Sequence, residues 1–165
     1  LGTPIFLDLP DGSLGNKNIH TNIVKNSIEK VSPDLIVTHY HKDYHSDHIN
    51  LSKIVKTVAG HYTPILYCDT MMGINFLPNY YVDVTKFMND KINSISFHKT
   101  QKHERFINLV KLMNEYRSAQ CNAPKGNYAE AYFFEPSFPF SDIRNILPKS
   151  PKIIPFHIEN INGFL

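Results

Sequence analysis

Residues 35–55, "LIVTHYHKDYHSDHINLSKIV", decide the fold, because a strand pattern gives way to a helix pattern within them. The run "LIVTHY" is typical of a strand that is buried on both faces of a parallel sheet. From Ser46 onward, apolar residues at 49, 51, 54, 55 and 58 have the spacing of a helix. Between the two, residues 39–48 hold four histidines and two aspartates. Ligands of open α/β sheets bind outside the carboxyl ends of the strands, so we expect this cluster to face a ligand.

Strand and helix patterns alternate on both sides of this stretch. "TPIFLDL", "PILYCD" and "YYVDVT" indicate strands, and "NIHTNIVKNSIEKVS" has the helical period. A longer helical stretch runs from about residue 85 to 118, with an end or kink near residue 100, and the tail from Pro124 indicates loops with short extended pieces. The alternation predicts one α/β domain over residues 1–165, with a mostly parallel sheet and right-handed crossovers.

Composition excludes several classes of function. The chain has 165 residues, of which 42% are hydrophobic, and its net charge of +2 is too small to indicate binding to nucleic acid or to an anionic membrane. It contains no run of eighteen apolar residues, so we expect no transmembrane segment. Cys68 and Cys121 form neither a zinc pattern nor a disulfide framework. We therefore expect a cytoplasmic location.

The spacing within the cluster favours metal binding or acid–base chemistry. His45 and His48 are three residues apart, at the expected start of a helix, where both imidazoles can face one point. Asp47 lies between them and can accept a hydrogen bond from an imidazole N–H, the usual role of a carboxylate beside a metal-bound or catalytic histidine. Two other interpretations stay open: a solvated loop in which Ser46 or Asp47 caps the helix, and a metal site built from the four histidines alone. Those four are His39, His41, His45 and His48.

The remaining histidines are isolated in the sequence, and we expect structural roles for them. They are His20, His61, His103 and His157; His98 belongs to a motif described next.

Four stretches resemble one known family. "PDLIVTHYHKDYHSDH" is similar to the second motif of the LmbE-like, or PIG-L-like, zinc-dependent N-acetylglucosaminyl deacetylases, in which Thr-His ends a strand and His-x-Asp-His opens a helix. "FLDLPDGSL" resembles the segment before the first crossover helix of that family. "DVTKFMNDKINSISFHKTQ" resembles the helix that carries Lys and His-x-Ser-Gln, with Thr100 in place of serine. "NYAEAYFF" resembles the Tyr-Ala-Glu-Ala-Phe signature, with Tyr132 in place of phenylalanine. The four occur in the order of the family, over roughly residues 4 to 135.

The resemblance implies a Rossmann-like sandwich and assigns roles to three residues. His48 is expected to be a zinc ligand, His45 to stabilise or protonate the tetrahedral intermediate, and Asp47 to orient His45. The family's early Ala-His-Pro-Asp-Asp motif supplies two further ligands and the general base, but no His-Pro or Asp-Asp dipeptide occurs here. We expect the chain to be a fragment that lacks this motif and the N-terminal strand, and to be inactive by itself; the alternative is a lineage that has lost them.

The resemblance also implies the substrate and the cofactor. We expect a zinc-dependent hydrolase, with another divalent metal as the alternative, that removes the acetyl group from an N-acetylglucosamine-type amino sugar or its conjugate. The expected partner is this N-acetylated sugar, and assembly into a homo-oligomer is left open. A second interpretation is a non-catalytic sugar-binding or interaction domain that keeps the fold.

Overall fold

The computed structural model describes residues 2–15, 18–136, 147–148 and 151. Its helices are α1 (Asn18–Val31), α2 (Ser46–Ala59), α3 (Met88–Ser96) and α4 (His103–Gln120), and its strands are β1 (Ile36–Thr38), β2 (Ile65–Cys68), β3 (Tyr80–Asp83) and β4 (Ala129–Phe134). The predicted positions of α1, α2, β2 and β3 are confirmed. The long helical stretch is divided near residue 100, as predicted, because Lys102 adopts the left-handed conformation with φ of 50°. None of the described helices is both long and apolar enough to cross a membrane.

The four strands form one mixed sheet in the order β1-β2-β4-β3. β1 pairs in parallel with β2, and β2 pairs antiparallel with β4. The α/β class is therefore confirmed, while the prediction of a mostly parallel sheet is wrong. The difference arises from β4, which lies in the tail that was expected to form loops with short extended pieces and which pairs antiparallel with β2.

Two predictions about strands at the start of the chain are also wrong. "TPIFLDL" forms no strand, and Phe6 within it is 80% exposed. An apolar extended run becomes a strand only where a neighbour completes its hydrogen-bonded ladder, and the described residues offer it none. β1 is short and its Val37 is 52% exposed, so this strand is not buried on both faces.

The described chain divides into two compact units. The first comprises residues 2–15, 18–79 and 132–136, and the second comprises residues 80–131, 147–148 and 151. In the first unit, α1 packs on α2 and α2 packs on β1, around a core in which Leu66 and Tyr67 are almost completely buried. This packing fixes the end of β1 beside the start of α2. The single-domain assignment over residues 1–165 stays a prediction.

Candidate functional site

The histidine cluster lies in the loop that joins β1 to α2. The loop follows Thr38, the last residue of β1, and ends at His45, which caps the N-terminus of α2. His45 has extended backbone angles, φ −92° and ψ 129°, and its Nδ1 accepts the backbone N–H of Asp47 at 3.2 Å. The imidazole of His45 therefore accepts the N-cap hydrogen bond that a Ser or Asp side chain usually accepts at the start of a helix. The alternative in which Ser46 or Asp47 caps this helix is therefore not formed.

Asp43 is the buried carboxylate of the loop. It is only 8% exposed, and both of its oxygens have partners. Oδ1 accepts the backbone N–H of His45 at 3.1 Å, and Oδ2 lies 3.2 Å from Nδ1 of His48. Its own N–H donates to the carbonyl of Tyr40, which closes a tight turn. A buried charge needs such partners, so Asp43 holds the turn and both histidines in one arrangement.

His39 brings a second imidazole against His48. The two rings are parallel, with an interplanar angle of 1° and centroids 3.8 Å apart. Burial lowers the pKa of His39, and nearby His48 and His45 lower that pKa further, while Asp43 opposes them. The low pKa favours the neutral imidazole at neutral pH, which is the form that binds metals.

His39, Asp43 and His48 can together hold a metal ion. Each offers one ligand atom, and these atoms all lie within 4.8 Å of one another. Two imidazoles and a carboxylate are a donor set that zinc enzymes use, with a further position left for water or substrate. The chemistry of this set fits a divalent metal of the zinc type. Sequence reasoning placed His39 only in the four-histidine alternative and gave no role to Asp43, although both lie in the quoted stretch.

The structure brings together the predicted pair of histidines. The ring centroids of His45 and His48 lie 4.7 Å apart, with an interplanar angle of 31°. Tyr44 is exposed and lies beside both, with its ring 6.2 Å from His45 and 6.3 Å from His48. The spacing of three residues was therefore a sound signal that the two imidazoles lie close together.

The predicted role of Asp47 requires correction. Its carboxylate does not contact the imidazole of His45; instead, Oδ2 accepts the N–H of Gly12 at 2.7 Å and Oδ1 accepts the N–H of Leu14 at 3.2 Å. Only the backbone N–H of Asp47 contacts the ring. The carboxylate lies in the first turn of α2 and accepts from two backbone donors of the N-terminal segment.

His41 does not join the metal-capable group, so the four-histidine site is not formed among the described residues. Its ring centroid lies 4.3 Å from Tyr40, 5.8 Å from Tyr67 and 6.5 Å from Phe133. Burial lowers the pKa of His41, while Glu135 opposes this effect. His41 therefore belongs to an aromatic cluster rather than to the group around His48.

Those isolated histidines that the structure describes lie outside the site. His20 is buried, and its Nδ1 lies 3.1 Å from the N–H of Gly15, which is a structural contact. His61 is exposed and His103 is partly buried. His157 lies outside the described residues.

A comparison with protein families finds a match over part of the chain. The family model PIG-L, GlcNAc-PI de-N-acetylase, matches residues 1–59, which include the whole cluster. The resemblance stated from the sequence is confirmed over these residues. The stretches at 83–101 and 127–134 lie beyond the match, and their resemblance stays a prediction. A comparison with curated proteins gives no match.

A solved structure shares the fold. The chain is similar to the crystal structure of GalB, the 4-carboxy-2-hydroxymuconate hydratase from Pseudomonas putida, with a TM-score of 0.64 and 15% sequence identity. The similarity covers 90% of this chain and 66% of that one, so the chain spans just under two thirds of the hydratase. At this identity the likeness shows the fold.

Proposed function

We propose that this chain, whose residues 1–59 match the PIG-L family model, is part of a metal-dependent amide hydrolase that removes the acetyl group from an N-acetylated amino sugar or its conjugate. The observation that carries the proposal is the pair of imidazoles, His45 and His48, held 4.7 Å apart at the end of β1. One imidazole is suited to a metal and the other to the substrate.

His48 and His39 would hold the metal, for which zinc is our first choice. Nδ1 of His48 faces the carboxylate of Asp43 at 3.2 Å, an arrangement common for metal-binding histidines. Neutral His39 is stacked on His48 and offers a second imidazole. A bound zinc ion would polarise the amide carbonyl and lower the pKa of a bound water toward neutrality.

His45 would act on the substrate. Its Nδ1 accepts the N–H of Asp47, so the neutral ring carries its proton on Nε2. That proton is available to the oxygen that becomes negative when the amide carbon turns tetrahedral. The same ring can then supply the proton that the leaving amine needs.

Two substitutions in the full-length protein test the proposal. His48→Ala should lose the metal, because a ligand is removed. His45→Ala should keep one metal per chain and lose roughly a hundredfold or more in kcat, in the range of acid–base contributions. Metal content and acetate released from an N-acetylglucosamine conjugate are the readouts. His61→Ala is the matched control, because His61 is exposed and lies outside the site.

The results separate the competing functions. Unchanged metal content in His48→Ala would refute the assignment of the ligand. Loss of metal in His45→Ala would exchange the two roles. A full-length protein that binds both metal and sugar but releases no acetate would favour the non-catalytic binding domain.

A further inference from the structure

The two neighbouring imidazoles have partners of opposite polarity at the same ring atom. Nδ1 of His45 faces a donor, the backbone N–H of Asp47 at 3.2 Å. Nδ1 of His48 faces an acceptor, the carboxylate Oδ2 of Asp43, also at 3.2 Å. A nitrogen that accepts a hydrogen bond carries a lone pair, and a nitrogen that faces a carboxylate carries a proton.

We propose that the loop 43–48 fixes opposite neutral tautomers on His45 and His48 and thereby assigns their different tasks. His48 is protonated on Nδ1, which leaves the lone pair of Nε2 for a metal. His45 is protonated on Nε2, which makes that nitrogen a donor toward the substrate. The assignment of tasks rests on the proposed function, whereas the tautomers are inferred from the contacts and do not depend on that function.

Asp43 has a positioning role in this arrangement, in place of the role of third metal ligand that its distance from His39 and His48 would also allow. A nitrogen of His48 that donates to Asp43 has no lone pair for a metal, so the metal must bind the other nitrogen of the ring. The second oxygen of Asp43 is engaged by the backbone N–H of His45 at 3.1 Å. One carboxylate, only 8% exposed, therefore orients the His48 ring and fixes the backbone of His45.

A backbone group determines the tautomer of one histidine, and a side chain determines the tautomer of the other. The tautomer of His45 is set by a main-chain N–H in the first turn of α2, which no substitution at Asp47 except proline removes. The tautomer of His48 is set by the side chain of Asp43 and is open to mutation. Loss of a carboxylate behind a metal-binding histidine typically weakens metal binding by roughly 10- to 100-fold.

The test measures the tautomers directly in metal-free protein. Protein labelled with ¹⁵N-histidine and treated with a chelator is studied by long-range ¹H–¹⁵N correlation NMR at about pH 8.5, where ordinary histidines are neutral. We expect the Nδ1–H form for His48 and the Nε2–H form for His45. This measurement on the unchanged protein needs no variant to fold. An Nε2–H form for metal-free His48, or an Nδ1–H form for His45, would overturn the proposal.

Variants then test the part of Asp43. Asp43→Ala should remove the tautomer preference of His48, leave His45 in the Nε2–H form, and weaken Zn²⁺ binding by roughly 10- to 100-fold. Asp43→Asn keeps an oxygen that can accept from Nδ1–H and should retain much of the preference. Asp11→Ala, at an exposed aspartate in the N-terminal segment, is the matched control and should change neither readout.

Zinc titration of the labelled protein decides between positioning and ligation. A shift of the Nε2 resonance of His48 on adding Zn²⁺ is expected. A shift of Nδ1 instead would make Asp43 a ligand on the same side of the ring and would refute its positioning role. Tautomers as expected, together with no acetate release by the full-length enzyme, would refute the proposed function and leave the tautomer assignment standing.

Discussion

Replacing Asp47 by alanine removes the acceptor of two backbone N–H groups in the N-terminal segment. Gly12 donates to Oδ2 at 2.7 Å and Leu14 donates to Oδ1 at 3.2 Å, and these bonds tie residues 12–14 to the start of α2. Asn50, one turn further along α2, adds a third tie by donating to the carbonyl of Leu14 at 2.6 Å. Asp47→Ala therefore leaves the segment attached through Asn50 alone among these three contacts.

The expected loss of stability follows from the two bonds and the helix charge. Hydrogen bonds to charged groups contribute about 1.5–3 kcal/mol each. The 3.2 Å bond from Leu14 belongs at the low end, about 1.5 kcal/mol, and the exposed bond from Gly12 contributes only about 0.5 kcal/mol because water replaces it. An acidic residue in the first turn of a helix adds about 0.3–1 kcal/mol. We expect Asp47→Ala to lower the free energy of unfolding by about 2–3 kcal/mol in total. Asp47→Asn keeps one acceptor and should lose roughly half as much.

Urea denaturation and amide hydrogen exchange check this prediction. With a slope of about 2 kcal/mol per molar urea, the midpoint should fall by about 1–1.5 M. Exchange at Gly12 and Leu14 should accelerate. Asp90→Ala is the control: Asp90 is also acidic in a first turn, of α3, but its carboxylate accepts no hydrogen bond in the described part of the chain, so the loss should stay near 0.5 kcal/mol. If Asp47→Ala leaves stability and exchange unchanged but abolishes activity, the carboxylate acts on His45 after all.

Three further predictions concern stability. Burial, with smaller contributions from Glu135 and Tyr40, raises the pKa of Tyr67 to about 12. The stability that the neutral phenol contributes should be present below about pH 10, and the free energy of unfolding should fall by about 2–3 kcal/mol as the pH rises to 12. Urea unfolding of Tyr67→Phe should not show this loss. Lys91 donates to Glu130 at 2.5 Å with both side chains about 30% exposed, so Lys91→Met should cost about 1–2 kcal/mol, and adding Glu130→Gln should restore part of it in a double-mutant cycle. Lys102→Gly should raise the thermal midpoint, by relieving about 0.5–1 kcal/mol of left-handed strain, whereas a lower midpoint would contradict this.

The elements with a regular period could be predicted from the sequence. α1 and α2 repeat apolar residues at helical spacing, and the buried run of β2 is bounded by turn residues. β4 was predicted only as one of the short extended pieces of the tail, because "AEAYFF" begins with small and charged residues and lies just before a proline-rich tail. Whether a run such as "TPIFLDL" becomes a strand depends on a partner elsewhere, which local composition does not specify.

Contacts within the candidate site could be predicted only where they join residues at helical spacing. His45 and His48 are three residues apart across a helix start, and they meet. The contact between Asp43 and His48 spans five residues, and its existence depends on the turn between Tyr40 and Asp43. The partners of Asp47 are 33 and 35 residues away, and no periodic pattern in the sequence predicts such a contact.

The short range of the contacts around Asp43 has a consequence for the order of folding. The bonds among Asp43, His45, Asp47 and His48 close segments of two to five residues, while the bond from Gly12 to Asp47 closes one of 35. The entropy of closing the longer loop exceeds that of the five-residue one by about 1.7 kcal/mol. We therefore expect the arrangement of the two imidazoles to form once the first turn of α2 nucleates, before the N-terminal segment docks onto it.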